Sequence, residues 1–238
     1  MRTPHFSTRR SLPAAVRAAV AVLMIAAACG CGRPPATADV AASVSIEDAI
    51  GRPLSSGDAL AAAAVVAGLP EDERPRFEPA LSDVTIEGRG GRELAETYRR
   101  QFRSAINLPQ QAERWRGRGP LADACRRAGL STDTLALTLM QIGCAHHAAQ
   151  AGRRVDLGDV RARTKTEIAS LGDRIDAAPD LLTRRALADS LRAAVALDTY
   201  LTLLNNVPRE SRDVVAQHRD QLAAVLPVRT AMEIVPRR

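Results

Sequence analysis

The densest group of reactive side chains lies in the C-terminal half of the chain. Cys144, His146 and His147 fall within four consecutive residues, and His218 is the one further histidine beyond His5. Thiolate and imidazole are ligands that Zn²⁺ and other transition metals prefer. If this stretch is helical, Cys144 and His147 share a face, whereas the two adjacent histidines point about 100° apart. The pattern allows a metal or ligand site centred on these four residues, with Cys144, His147 and His218 as candidate metal ligands.

The alternative interpretation of this group is structural, and we favour it. The sequence contains no Cys-x-x-Cys-His, no His-Glu-x-x-His and no Glu-x-x-His, the motifs of haem, zinc and di-iron sites. Two histidines at a helix surface and a third at the edge of the core account for the same residues. We therefore expect no metal and no cofactor.

A second chemistry open to the chain is a disulfide between Cys125 and Cys144. Export to an oxidising compartment would favour a bridge. A turn at Gly129-Leu130 between antiparallel helices, however, places the two cysteines about 13 Å apart along the axis at 1.5 Å per residue. A bridge requires roughly 4.4–6.8 Å between the Cα atoms. Two small buried thiols are the favoured interpretation, and the bridge remains the alternative.

Other sequence features that suggest chemistry are weak. The loop Gly88-Arg89-Gly90-Gly91-Arg92 precedes a predicted helix, whose backbone N–H groups could hold an anion, but it lacks the spacing of a phosphate-binding loop. Trp115 lies among arginines and is expected to pack over the bundle or to lie at a partner or membrane surface. No Gly-x-Ser-x-Gly motif is present. These observations favour a protein that is not an enzyme.

The composition argues against reading the arginine clusters as functional. Lys165 is the only lysine, and arginine together with abundant alanine is typical of a GC-rich bacterial genome. Four of the 33 basic residues and none of the 27 acidic residues lie within residues 1–28. The remainder carries 29 basic and 27 acidic residues, a net charge of +2. A surface so nearly balanced does not predict nucleic acid as a partner.

The N-terminus has the organisation of a bacterial export signal. A basic segment precedes an apolar run of 11 residues, from Ala18 to Ala28. A membrane-spanning helix needs about 20 apolar residues, whereas the apolar part of a signal peptide has roughly 7–15. The run is followed at once by Cys29, and Ala26-Ala27-Ala28-Cys29 resembles the lipobox of bacterial lipoproteins.

The resemblance implies cleavage before Cys29 and attachment of a diacylglyceryl group to its sulfur. Cys31, which follows Gly30, is the alternative lipidation site, and an ordinary signal peptide with an Ala-x-Ala cleavage site is the alternative without a lipid. Thr8-Arg9-Arg10-Ser11-Leu12 also resembles a twin-arginine motif, so both export routes remain open. The protein is expected to be anchored to a membrane on the extracytoplasmic side of the cell envelope, either periplasmic or at the cell surface.

The elements that position these residues are predicted to be helices. Alanine and leucine favour helices, and the aromatic content of 3% leaves little material for a β-rich core. The sequence divides into a signal peptide (1–28), a lipidated tether (29–44), a less regular mixed helix and loop segment (45–120) and a helical bundle core (121–238). The patterns predict an all-α, up-and-down bundle of about five helices in the last part.

The predicted helices begin and end at identifiable residues. In the first half, Ser56-Gly57-Asp58 is expected to cap a helix through Val66, and another helix runs from about Arg92 to Ile106, with a short strand at 84–87 between them. In the second half the predicted helices begin at Pro120, after Ser131, at Leu157, at Asp180 and at Pro208. The helix after Ser131 is apolar most of the way round and is predicted to be the buried centre.

The function suggested by these features is general. We expect an exported, lipid-anchored envelope protein with a non-enzymatic interaction or structural role, whose partners are the membrane and another envelope protein. The alternative is a metal- or ligand-binding helical module centred on Cys144, His146, His147 and His218.

Overall fold

The computed structural model describes residues 46–77, 81–105, 107–152 and 155–226. This part of the chain is built from α-helices, which confirms the predicted all-α bundle with a less regular N-terminal half. The predicted signal peptide, the tether and both candidate lipidation sites, Cys29 and Cys31, lie outside the described residues. No helix within the described ranges combines the length and the apolar character that a membrane crossing requires.

Most of the helices follow one another through short connections. The exception is the stretch between Ala67 and Gly91, which contains one 3-10 turn, Glu71–Glu73. In chain order they are α1 (Ile46–Ile50), α2 (Ser56–Ala67), α3 (Gly91–Ala105), α4 (Leu108–Arg116), α5 (Gly119–Arg127), α6 (Thr132–Gly152), α7 (Leu157–Asp176), α8 (Leu181–Asn205) and α9 (Arg209–Gln217).

Side chains at the helix starts explain why the helices begin where they do. The first backbone N–H groups of a helix have no partner within it, and short polar side chains accept hydrogen bonds from them. Ser131 caps α6 as predicted, with its Oγ 3.0 Å from the backbone nitrogen of Thr134. The cap of α2 is Ser55, one residue before the predicted position, with its Oγ 3.0 Å from the nitrogen of Asp58. Asp156 and Asp180 cap α7 and α8 in the same way.

The predicted strand at 84–87 is wrong. Residues 81–86 have no regular secondary structure, and no strand occurs among the described residues. Leu81, Val84 and Ile86 instead pack as partly buried side chains against the helices beside them. Two helices were not predicted: α1, which precedes α2, and α4, which lies between α3 and α5.

The first of two large apolar clusters surrounds α6. This α6 cluster contains Leu135 and Ile142 of α6, both completely buried, and it extends to side chains of α1, α2, α4, α5, the C-terminal part of α8, and α9. The prediction that the helix after Ser131 forms the buried centre is confirmed.

The second cluster joins α3, α7 and the N-terminal part of α8, and we call it the three-helix cluster. Leu94, Ile175 and Leu191 are its most buried large side chains, from one helix each. The 25 residues of α8 span about 37 Å at 1.5 Å per residue, so this helix takes part in both clusters. Both clusters contain residues from before and after position 120.

Two glycines bring α3 and α7 into unusually close contact. A Cβ atom built on Gly91 would lie 2.2 Å from the carbonyl oxygen of Gly172 and 2.5 Å from its Cα atom. Only glycine fits at position 91 without a backbone shift. At the same place the carboxylate of Asp176 accepts a hydrogen bond of 2.8 Å from the backbone N–H of Gly91. The last turn of α7 thus caps the first turn of α3.

Candidate functional site

The two cysteines of the domain are free and buried. Cys125 lies on α5 and Cys144 on α6, and both belong to the α6 cluster. Burial raises the pKa of the Cys144 thiol to about 12 and also raises the pKa of Cys125. Because the thiolate is the reactive form of cysteine, neither residue is suited to act as a nucleophile or as a metal ligand. The structure presents two buried thiols rather than the alternative disulfide.

The histidines do not converge on a common ligand. The His147 ring lies against Tyr200 of α8, with 6.1 Å between ring centroids at 82°. The His146 ring is 5.8 Å from that of its neighbour, and its Nε2 lies 2.7 Å from Gln150 Nε2. His218 follows the last turn of α9, and its Nδ1 lies 2.8 Å from Gln221 Oε1.

This arrangement does not support a metal site. Across the described ranges, no three His, Cys, Asp or Glu side chains are placed so that they could hold a metal ion. Burial lowers the pKa of both His146 and His147, and the positive charge of Arg219 lowers that of His146 further. Both imidazoles are therefore held toward the neutral form, with half-buried rings that pack at the surface of the α6 cluster.

The remaining candidates from the sequence also have structural roles. In the loop Gly88 to Arg92, the backbone N–H of Gly91 already donates to Asp176, so the protein's own carboxylate occupies the place of an anion. Trp115 is 2% exposed and packs against Phe77 at 5.2 Å between ring centroids, so it packs within the bundle as the sequence suggested.

A cleft that the sequence did not reveal lies between α1, α3, α7 and α8. It has a volume of about 240 Å³ and carries a high density of charge. We call it the cationic cleft. Its lining consists of four cationic side chains, two carboxylates and two threonines: Arg99, Arg103, Arg161, Lys165, Glu47, Asp198, Thr199 and Thr202.

Two of the four cations in the cleft are paired. Arg161 Nε lies 3.2 Å from Asp198 Oδ1, and the Asp198 side chain is only 8% exposed. Arg103 Nε lies 3.1 Å from Glu47 Oε1, in a more exposed pair at the first turn of α1. Arg99, half-buried on α3, and the exposed Lys165 on α7 have no ion-pair partner among the described residues. The cleft therefore carries two more positive charges than negative ones.

The threonine hydroxyls of the cleft donate hydrogen bonds to backbone carbonyls of their own helix. Thr199 donates to the carbonyl of Val195 at 2.9 Å, and Thr202 donates to that of Asp198 at 2.8 Å. Donors for a bound anion therefore come from the guanidinium and ammonium groups. Such a set of groups binds oxyanions through charge-assisted hydrogen bonds.

A second cleft, of about 270 Å³, lies on the other side of α3 and α8. Its charges are more evenly matched, with three carboxylates and two arginines, and Arg185 pairs with Glu87 at 2.9 Å. That hydrogen bond lowers the pKa of Glu87. Burial raises the pKa of Tyr98, which lines the cleft. The ion pair of Glu87 holds segment 81–87 against α8, and we assign the arrangement a structural role.

The residues of the cationic cleft form a pattern in the sequence that can be recognised once the structure is known. Arg99 and Arg103 are four residues apart on α3, and Arg161 and Lys165 are four residues apart on α7. Each pair places two like charges on one face of a helix. Because arginine is abundant throughout the chain, neither pair stands out in the sequence.

Comparison with known proteins gives no match to a family model, to a curated protein or to a solved structure.

Proposed function

We propose that this chain is a lipid-anchored protein of the bacterial cell envelope, whose helical domain has a non-enzymatic interaction role. The observation that carries the proposal is the succession of a basic segment, an 11-residue apolar run and Ala-Ala-Ala-Cys29. A mature lipoprotein carries more than one acyl chain, and each buried CH₂ contributes about 0.8 kcal/mol to membrane binding. The membrane is therefore one partner of the protein.

The properties of the domain support a binding role rather than catalysis. The thiols of Cys125 and Cys144 are buried with raised pKa values, and the contacts of His146 and His147 are with each other, with Gln150 and with Tyr200. On the described surface, Leu181 and Leu182 are the exposed large apolar side chains, and they are adjacent. We infer that another envelope protein would contact this domain mainly through polar and charged side chains.

The anchor is tested by intact mass spectrometry of the protein extracted from membranes. The expected mass is that of a chain beginning at Cys29 plus its acyl groups. Cys29→Ala removes the acylated species and releases the protein from the membrane fraction, whereas the matched variant Cys31→Ala leaves both unchanged. The reverse pattern assigns Cys31 as the lipidation site. A wild-type product without acyl groups would refute the proposed lipid anchor.

The protein partner is tested by cross-linking in cells. A photo-reactive amino acid placed in turn at Arg100, Arg163 and Leu182 samples three separate exposed positions on α3, α7 and α8. A partner that binds one face gives a discrete adduct from one position and none from the others. Absence of a discrete adduct from every sampled helix argues for a role that is confined to the membrane anchor.

A further inference from the structure

We propose that the cationic cleft binds a small oxyanion with two negative charges, and that a phosphate monoester group is the ligand. The inference deepens the proposed binding role of the domain but does not depend on the lipid anchor. The site consists of Arg99, Arg103, Arg161 and Lys165, with Glu47 and Asp198 as the carboxylates that hold two of these cations in place.

The first argument is electrostatic. Like charges four residues apart on a helix repel each other and destabilise it, and here two such pairs face one cleft. The rest of the chain offers no reason for this concentration, because residues 29–238 carry 29 basic and 27 acidic residues. Glu47 and Asp198 compensate two of the four cations, and the other two remain without an ion pair. A sequence that breaks a local rule of stability in this way does so most often at a functional site, and a bound anion supplies the remaining compensation.

The second argument concerns the state of the four cations. Arg161 is held by the buried carboxylate of Asp198, and Arg103 is held by Glu47. Arg99 and Lys165 have no ion pair within the described ranges, so their positive charges remain available to a ligand. A planar guanidinium binds two oxygens of a phosphate group at once, and an ammonium acts as a mobile point charge beside it. The cleft thus offers both kinds of phosphate-binding group.

The third argument concerns size and charge. A volume of about 240 Å³ is below the roughly 300–1,000 Å³ of clefts that hold drug-sized molecules, and it suits a single phosphate group with a short substituent. Four cations and two carboxylates leave an excess of two positive charges. A phosphate monoester is close to doubly charged at neutral pH, as a phosphorylated side chain is. A phosphodiester has one charge and would leave one cation uncompensated.

The experiment measures binding to the full mature lipoprotein in detergent micelles by titration calorimetry. The probes are inorganic phosphate and glycerol phosphate, with dimethyl phosphate as the singly charged comparison and succinate as the dicarboxylate comparison. Wild-type protein is expected to bind the two phosphate dianions and to bind dimethyl phosphate at least tenfold more weakly. Binding weakens as salt is raised, because the interaction lies in a partly exposed cleft.

Matched variants separate the cleft from general surface charge. Arg99→Gln and Lys165→Gln are each expected to weaken phosphate binding about tenfold, the effect of losing one hydrogen bond to a charged group. Arg100→Gln and Arg163→Gln make the same charge change on the same two helices outside the cleft, and they are expected to leave binding unchanged. Equal weakening by all four variants, absence of binding in the wild type, or tighter binding of succinate than of phosphate overturns the proposal.

A second readout distinguishes a ligand site from an internal structural cluster. Without ligand, Arg99→Gln and Lys165→Gln relieve repulsion between like charges, so each variant is expected to unfold at the wild-type temperature or above it. If these side chains served only to stabilise the fold, both variants would unfold at a lower temperature. Far-UV circular dichroism confirms that each variant is folded before its binding is measured.

The source of the phosphate is resolved by a further arm of the same experiment. Mixed micelles of the same detergent and phosphatidylcholine, with and without phosphatidic acid, present the monoester on a lipid. Binding that needs phosphatidic acid in the micelles and is absent with glycerol phosphate assigns a lipid headgroup, and the reverse assigns a free ligand. Mass spectrometry reports lipidation independently, so a failure of the anchor and a failure of this site are told apart.

Discussion

The close contact between Gly91 and Gly172 allows one prediction to be worked out in detail. In Gly91→Ala the new Cβ atom would lie 2.2 Å from the carbonyl oxygen of Gly172 and 2.6 Å from its carbonyl carbon. Normal contacts between such atoms are about 3.5 Å. Backbone atoms at this position cannot swing aside as a side chain can. The first turn of α3 must therefore move away from α7 by roughly 1 Å.

The loss of stability can be estimated from the contacts that this displacement disturbs. Overpacking of a well-filled core costs about 1–3 kcal/mol. Loss of the hydrogen bond from Gly91 to Asp176 adds about 1 kcal/mol, as for other helix caps. The better helix propensity of alanine returns roughly 0.5–1 kcal/mol. We expect a net loss of about 1–3.5 kcal/mol in the free energy of unfolding and a decrease in Tm of roughly 2–14 °C for a domain of this size.

The assay is urea unfolding followed by circular dichroism and by the fluorescence of Trp115, the only tryptophan. Trp115 lies in the α6 cluster, away from the substitution, so it shows whether the loss reaches the whole domain. Gly172→Ala is the matched control, because its Cβ would lie 3.6 Å from the nearest atom, an ordinary contact. We expect this control to be unchanged or up to about 1 kcal/mol more stable. If Gly91→Ala is as stable as Gly172→Ala, the steric reasoning is wrong.

Three further predictions concern buried groups. The pKa of Cys144 is about 12 instead of 9.0, so its thiol in the folded protein is expected to react with iodoacetamide about a thousandfold more slowly than after unfolding. Peptide mass mapping measures the two rates, and rapid labelling of the folded protein would contradict this prediction. Burial lowers the pKa values of His146 and His147, so below about pH 6.5 the unfolded chain binds more protons than the folded one. The free energy of unfolding is therefore expected to be at its full value above about pH 6.5 and to decrease as the pH falls below it. Urea midpoints measured across this pH range test the prediction. The midpoint should depend less on pH when both histidines are replaced by glutamine, and an unchanged pH dependence would assign the effect to other groups. Gln141 donates at 3.0 Å to two backbone carbonyls at the end of α1, so Gln141→Met should cost about 2 kcal/mol by leaving them without a partner. Gln217→Met at an exposed position is the control, and equal unfolding free energies for the two variants would refute the assignment.

The elements that the sequence predicted well are those with local signals. The cap at Ser131, the cap at Asp180 and the apolar surface of α6 depend on residues only a few positions apart, and the structure places them as expected. A local signal also existed for the missed α4, because Asn107 is a good cap and Pro109 is tolerated in the first turn. The short length of that helix made it difficult to distinguish from a loop.

The features that the sequence could not predict depend on contacts between distant positions. Asp176 caps α3 across a separation of 85 residues, and no local pattern marks it as a cap. The cationic cleft combines two pairs of like charges from helices that are distant in the chain. Each pair alone resembles an ordinary solvated helix face, and only the packing of α3 against α7 and α8 shows that both pairs line one cleft.

The contact between the two ends of the described region determines when this domain can complete its fold. Leu54 donates its backbone N–H to Ser211 Oγ at 3.0 Å across a separation of 157 residues, and the core around Leu54 also contains Val215 and Leu222. A chain emerging from the ribosome therefore cannot close this core until nearly the whole domain has been synthesised. Such late closure keeps the chain in an open state during synthesis, which is the state that a translocation channel for unfolded chains requires.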